Sequence, residues 1–99
     1  MNSPEPPRKE PITARRAILI YMSRFDGETY QRRGRLFRSI IVRMPEFQNQ
    51  LMRDLQPEEF TQQVLALTKS APLRVRYKEL LRDFFLFSSR KRWLKKDVS

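Results

Sequence analysis

Neither cysteine nor histidine occurs in this chain of 99 residues. Their absence excludes disulfide cross-links, thiolate and imidazole metal sites, thiol nucleophiles, and the side chain that most often acts as general base near neutral pH. The acidic residues form no cluster that would hold a metal through carboxylates alone, so neither metal nor cofactor is expected. With no nucleophile set beside a base, the chain reads as a non-enzyme. Apolar runs are short as well: "AILIYM", Ala17 to Met22, has six residues between Arg16 and Arg24 and is too short to span a membrane. Glycine stands only at positions 27 and 34. The one Asp-Gly pair, Asp26-Gly27, lies between helical patterns and not between alternating strands.

What the chain does have is positive charge: 21 Lys and Arg against 11 Asp and Glu, a net of +10. Arginine supplies 15 of these cations, and its planar fork suits bidentate contact with phosphate or carboxylate. The charge is uneven along the chain. Residues 13–43 carry eight basic and two acidic side chains, residues 44–70 two and four, and residues 71–99 nine and three. Two basic blocks thus flank an acidic centre, a pattern that serves either intramolecular complementarity or two binding patches.

Size allows one small domain with a thin core, since a chain this long buries roughly two thirds of the surface its unfolded form exposes. Residues 1–12 hold "MNSPEPPRKEP", with four of the seven prolines and no apolar stretch behind a basic start. That composition predicts a disordered Pro-rich lead and not a signal peptide, hence an intracellular protein. From Thr13 the spacing turns helical. Ala14, Ala17, Ile18, Tyr21 and Phe25 recur at intervals of three and four, with Thr13 placed to cap the first amides. After a break at Gly27, Tyr30, Leu36, Phe37, Ile40, Ile41 and Met44 form the apolar face of a second helix, with Arg32, Arg35, Arg38 and Arg43 outside it. Pro45, Pro57 and Pro72 stand where three further helices would open. Their inner faces are Phe47, Leu51, Met52 and Leu55; then Phe60, Val64, Leu65 and Leu67; then Leu73, Tyr77, Leu80, Phe84 and Phe87.

The expected fold is therefore all-α: four to five antiparallel helices over residues 13–88, stacked as HEAT-like helical hairpins, followed by a basic tail at 89–99. The segment Tyr77-Lys78-Glu79-Leu80-Leu81-Arg82-Asp83-Phe84-Phe85 resembles the helix near the C-terminal end of nuclear exportins of the karyopherin-β superfamily. Those carriers are long HEAT solenoids that move cargo through nuclear pores with the GTPase Ran. The resemblance covers about ten residues around Tyr77 to Phe85. It implies a terminal piece or truncated relative of an export receptor, acting in nucleocytoplasmic transport between nucleus and cytoplasm. The matched residues are scaffold positions in that family, so no Ran-contact or cargo residue is carried over.

Two basic clusters are candidates for binding nucleic acid or an acidic partner. "RRGRLFR" sets Arg32, Arg33, Arg35 and Arg38 roughly on one side of a helix; its bland reading is a solvated face that answers the acidic centre. The tail brings Arg90, Lys91, Arg92, Trp93, Lys95 and Lys96 together, an aromatic among cations that suits base stacking and also looks like a nuclear-import signal. Its bland reading is a solubilising tail with Trp93 folded back on the core. Leu81, Phe85 and Leu86 widen the apolar arc of the last helix beyond one stripe, which predicts a second contact surface for a protein partner or another copy of the chain. The function expected is thus a non-catalytic helical interaction module of exportin type, the alternative being a small basic helical protein that binds RNA or DNA.

Overall fold

The computed structural model describes residues 11–95. Almost all of the Pro-rich lead lies outside that range, as does Lys96 of the tail. The fold is all-α. Its elements are α1 (Ala14–Met22), α2 (Gly27–Arg43), two 3₁₀ turns (Pro45–Asn49 and Met52–Asp54), α3 (Pro57–Leu65) and α4 (Ala71–Arg90).

Backbone chemistry explains most of the boundaries. Thr13 is extended, and its Oγ1 accepts a hydrogen bond from the Arg16 amide at 3.2 Å, satisfying one of the helix's orphan donors. The chain then breaks at Asp26-Gly27, and Gly27 opens α2 with φ +60, a left-handed backbone that glycine adopts without a Cβ penalty. Met44 is driven out of the helical region by Pro45 behind it, which ends α2. Pro57 and Pro72 sit in the first turns of α3 and α4, where a missing N–H costs nothing, and the Ser70 hydroxyl caps α4 by accepting from the Leu73 amide at 3.3 Å. Glu58 and Glu59 occupy the first turn of α3 and complement its dipole.

Gly34, in contrast to Gly27, lies inside α2 with ordinary helical backbone. A Cβ there would meet only the Met22 Cε, at 3.8 Å, an ordinary contact. Gly34→Ala is therefore expected to stabilise the domain by ~0.5–1 kcal/mol, read as a higher midpoint in urea with an unchanged slope. A lower midpoint would show that α1 and α2 approach more closely than this.

Two expectations about the elements need correction. Residues 45–55 do not form a helix. The chain extends at Gln50 and Leu51 and makes a short antiparallel bridge with residues 12–14: the Ala14 amide donates to the Gln50 carbonyl and the Met52 amide to the Ile12 carbonyl, both at 2.8 Å. The bond from Ala14 satisfies a first-turn amide of α1 that has no acceptor within its own helix, the Met52 amide finds an acceptor across the bridge, and the flanking 3₁₀ turns still bury Phe47, Met52 and Leu55. Tyr30, placed by its spacing on the inner face of α2, is 49% exposed; a turn further on, Arg33 takes the inward position.

The other correction concerns the apolar excess of α4. Leu81 and Phe85 do not face a partner or water. They are 0% and 2% exposed, because α4 is covered on two sides. Phe84 meets Tyr21 of α1 and Phe37 of α2, with ring centroids 5.3 and 5.2 Å apart. Phe85 meets Phe60 of α3 at 6.1 Å, and Phe60 in turn stacks on Phe47 at 4.4 Å. A helix packed between two neighbours buries two stripes, which accounts for its composition without any missing surface.

Candidate nucleic-acid interface

Of the arginines in "RRGRLFR", Arg33 is half-buried and engaged within the fold. Its guanidinium donates to the Tyr21 Oη at 2.6 Å and pairs with the Asp83 carboxylate at 3.5 Å, while lying 4.8 Å from the centre of the Phe25 ring. Tyr21 in turn donates to Asp83 Oδ2 at 2.6 Å. Arg24 closes the group, 3.8 Å from Asp83 and 4.2 Å above the Phe87 ring. The node ties α1, α2 and α4 together, and it raises the Tyr21 pKa above the ordinary tyrosine value. Burial of the phenol is the main cause, followed by its hydrogen bond to Asp83 and the charge of that carboxylate; Arg33 and Arg24 oppose the shift. Arg33, expected as a partner-binding residue, is thus engaged within the fold by Tyr21 and Asp83, with its side chain 31% exposed.

Arg32, Arg35 and Arg38 remain on the exposed side of α2. Arg32 pairs with Glu28 at 3.5 Å one turn back, both side chains mostly exposed, a contact worth a few tenths of a kcal/mol by order of magnitude. Arg35 and Arg38 have no carboxylate within reach among the described residues. The acidic centre does not answer this face, since no described ion pair joins α2 to Glu46, Asp54, Glu58 or Glu59. Beside Arg32 the α2–α4 surface holds a groove of about 260 Å³, lined by Thr29, Arg33, Leu36, Arg76 and Glu79 among others. Arg76 belongs to this basic surface, and no local pattern in the sequence pointed to it.

At the far end, α4 finishes in a tight C-terminal turn. The Trp93 amide donates to the Ser88 carbonyl at 3.0 Å and the Arg92 amide to the Ser89 carbonyl at 2.9 Å, with Arg92 in the left-handed region at φ 62. This pair of bonds is the Schellman arrangement, and its usual apolar contact is present: Trp93 packs edge-to-face on Phe87, centroids 5.6 Å apart. Trp93 is therefore partly folded back on the core, while its remaining surface lines an open cleft of about 540 Å³ with Pro11, Arg53, Asp54, Arg92, Leu94 and Lys95. Arg53 and Asp54 come from the second 3₁₀ turn. Arg90 and Lys91 are exposed, Lys91 5.5 Å from the Phe87 ring centre. Leu86 is the one member of the expected protein-contact trio with partial exposure; it edges a shallow groove of about 500 Å³ shared with Pro57 and Thr61 of α3.

No group of three or more carboxylates gathers into a metal site among the described residues, and no described helix is long and apolar enough to cross a membrane. Compared with family models, curated proteins and solved structures, the chain matches none.

Proposed function

We propose that this chain is a non-catalytic, basic helical module that binds the phosphate backbone of nucleic acid. One observation carries the reading. Of the eighteen Lys and Arg in residues 11–95, only Arg24, Arg32 and Arg33 have a carboxylate within 4.0 Å among the described residues, which leaves fifteen without one. Unpaired surface cations at this density repel one another in the folded state, and a polyanion relieves that repulsion while releasing its condensed counterions. The outer face of α2 with Arg32, Arg35 and Arg38, joined by Arg76, forms one patch; Arg90, Lys91, Arg92 and Lys95 form the other. The basic run of the sequence at Arg90–Lys96 also suits residence in the nucleus as well as the cytoplasm.

The test is the salt dependence of binding to single-stranded RNA. Each phosphate contact contributes a slope of about −0.7 in log K against log salt for single strands. The double variant Arg35→Glu, Arg38→Glu is expected to lose about two such contacts and to bind at least ten-fold more weakly at low salt. Affinity that stays the same from 50 to 200 mM salt would remove the proposal. A protein-interaction role of the kind implied by the exportin resemblance has the groove at Leu86 in its favour, and sedimentation of the chain as a strict monomer would weaken its self-association form.

A further inference from the structure

We propose that the cleft between the second 3₁₀ turn and the C-terminal turn of α4 is a nucleotide site for single-stranded nucleic acid: Trp93 stacks on one unpaired base while Arg53, Arg92 and Lys95 hold the adjacent phosphates. The proposal rests on the nucleic-acid reading above and deepens it, because backbone charge alone does not distinguish a single strand from a duplex.

Three independent features meet here. Residues far apart in the chain converge, three cations against the single carboxylate Asp54 among the described lining residues, around a cleft of about 540 Å³. That is the size range of small-ligand sites, roughly 300–1,000 Å³. An aromatic ring is already in place, held on one side by Phe87 and by the backbone bond to Ser88, so little freedom is lost when a base stacks on it. Asp54 adds an acceptor of the kind that pairs with an exocyclic amino group.

The third feature is Arg92. The left-handed position that ends a helix in this way is ordinarily glycine, because any Cβ there is strained. Arginine occupies it at φ 62, and its exposed side chain makes no hydrogen bond or ion pair among the described residues. The fold gains nothing visible from that side chain and bears the strain. A strained position with no internal return points to a use outside the fold.

Trp93 is the only tryptophan in the chain, so fluorescence excited selectively at the indole, and not at the three tyrosines, reports on this cleft. The experiment titrates the full chain at low salt with a ten-nucleotide oligouridylate, the matching oligothymidylate, an abasic oligomer of the same length and an RNA duplex. The two single strands are expected to give saturable quenching, and the abasic oligomer and duplex to bind without it. Arg92→Gly is expected to bind the single strands roughly ten-fold more weakly with a Tm no lower than that of the parent chain. Quenching equal for the abasic oligomer, or Arg92→Gly binding as tightly as the parent, would overturn the cleft while leaving the basic-module reading intact. A lowered Tm in Arg92→Gly would make Arg92 a structural residue and also overturn the proposal. Failure of every oligomer to bind at all would overturn both.

Discussion

Phe84→Ala is expected to leave most of the chain unfolded at physiological temperature. Phe84 is fully buried and its ring is in contact with Tyr21, Phe37 and Phe85. Truncating a buried phenylalanine costs ~3–5 kcal/mol, from lost transfer energy and the cavity left behind. A domain of this size has only ~5–15 kcal/mol in total, and at the lower end of that range, where a thin core places this chain, the loss approaches the whole margin. Phe85→Ala is expected to do nearly as much. Its ring is buried and packs edge-to-face on Phe60 of α3, so truncating it opens a cavity between the two helices. Each variant should melt roughly 12–40 °C below the parent chain, since a loss of ~3–5 kcal/mol is read at ~4–8 °C of Tm per kcal/mol at this length. Leu86→Ala, at a partly exposed position on the same helix, should stay within about 1 kcal/mol. Thermal unfolding followed by circular dichroism separates these cases. A Phe85→Ala Tm equal to the parent's would mean that α3 does not cover α4 as described.

The second large effect concerns the node of Tyr21, Arg33 and Asp83. Asp83→Ala removes the acceptor of the Tyr21 hydroxyl and the partner of two guanidinium groups. Hydrogen bonds to charged groups contribute ~1.5–3 kcal/mol, and the lower half of that range applies because the Asp83 side chain is 49% exposed. The same node makes stability depend on alkaline pH. The folded pKa of Tyr21 is raised above its ordinary value of 10.0, so the folded state holds the phenolic proton more tightly than the unfolded state does. Its contribution is complete below about pH 10 and is lost progressively as pH rises from there toward the folded pKa. Tyr21→Phe has no proton to lose. Its stability should lie below the parent's near neutral pH, and the difference should shrink with rising alkalinity. Urea midpoints at pH 8 and pH 11 decide the matter, and a difference that stays constant between them would exclude this titration.

Positions where the backbone decides were legible from the sequence. Thr13, Pro45, Pro57 and Pro72 each act on amides or dihedrals within four residues of themselves, and each marks an observed helix boundary or first turn. The same is true of the break at Gly27, where only the local dihedral matters. Periodicity also assigned most of the inner faces, because a three-to-four spacing puts side chains on one side of any helix. It could not separate a helix from two 3₁₀ turns over residues 45–55. Phe47, Met52 and Leu55 are buried in either case, and the bridge to residues 12–14 that opens the chain is a contact between distant segments.

Distant contacts decided the rest. Arg33 and Arg35 are the same residue type two positions apart on α2, yet one is an internal tie and the other has no carboxylate within reach among the described residues, because Tyr21 and Asp83 come from α1 and α4 to meet only the first. Leu81 and Phe85 read as surplus apolar surface until α3 is laid along α4, since a helix's own sequence does not count its neighbours. Arg53 stands beside Trp93 and Arg92 by the same kind of closure, and nothing near residue 53 in the chain announces it. Local propensity is a property of a few consecutive residues. Burial and the composition of a cleft belong to whichever segments the tertiary fold brings together, so only the three-dimensional structure could assign them.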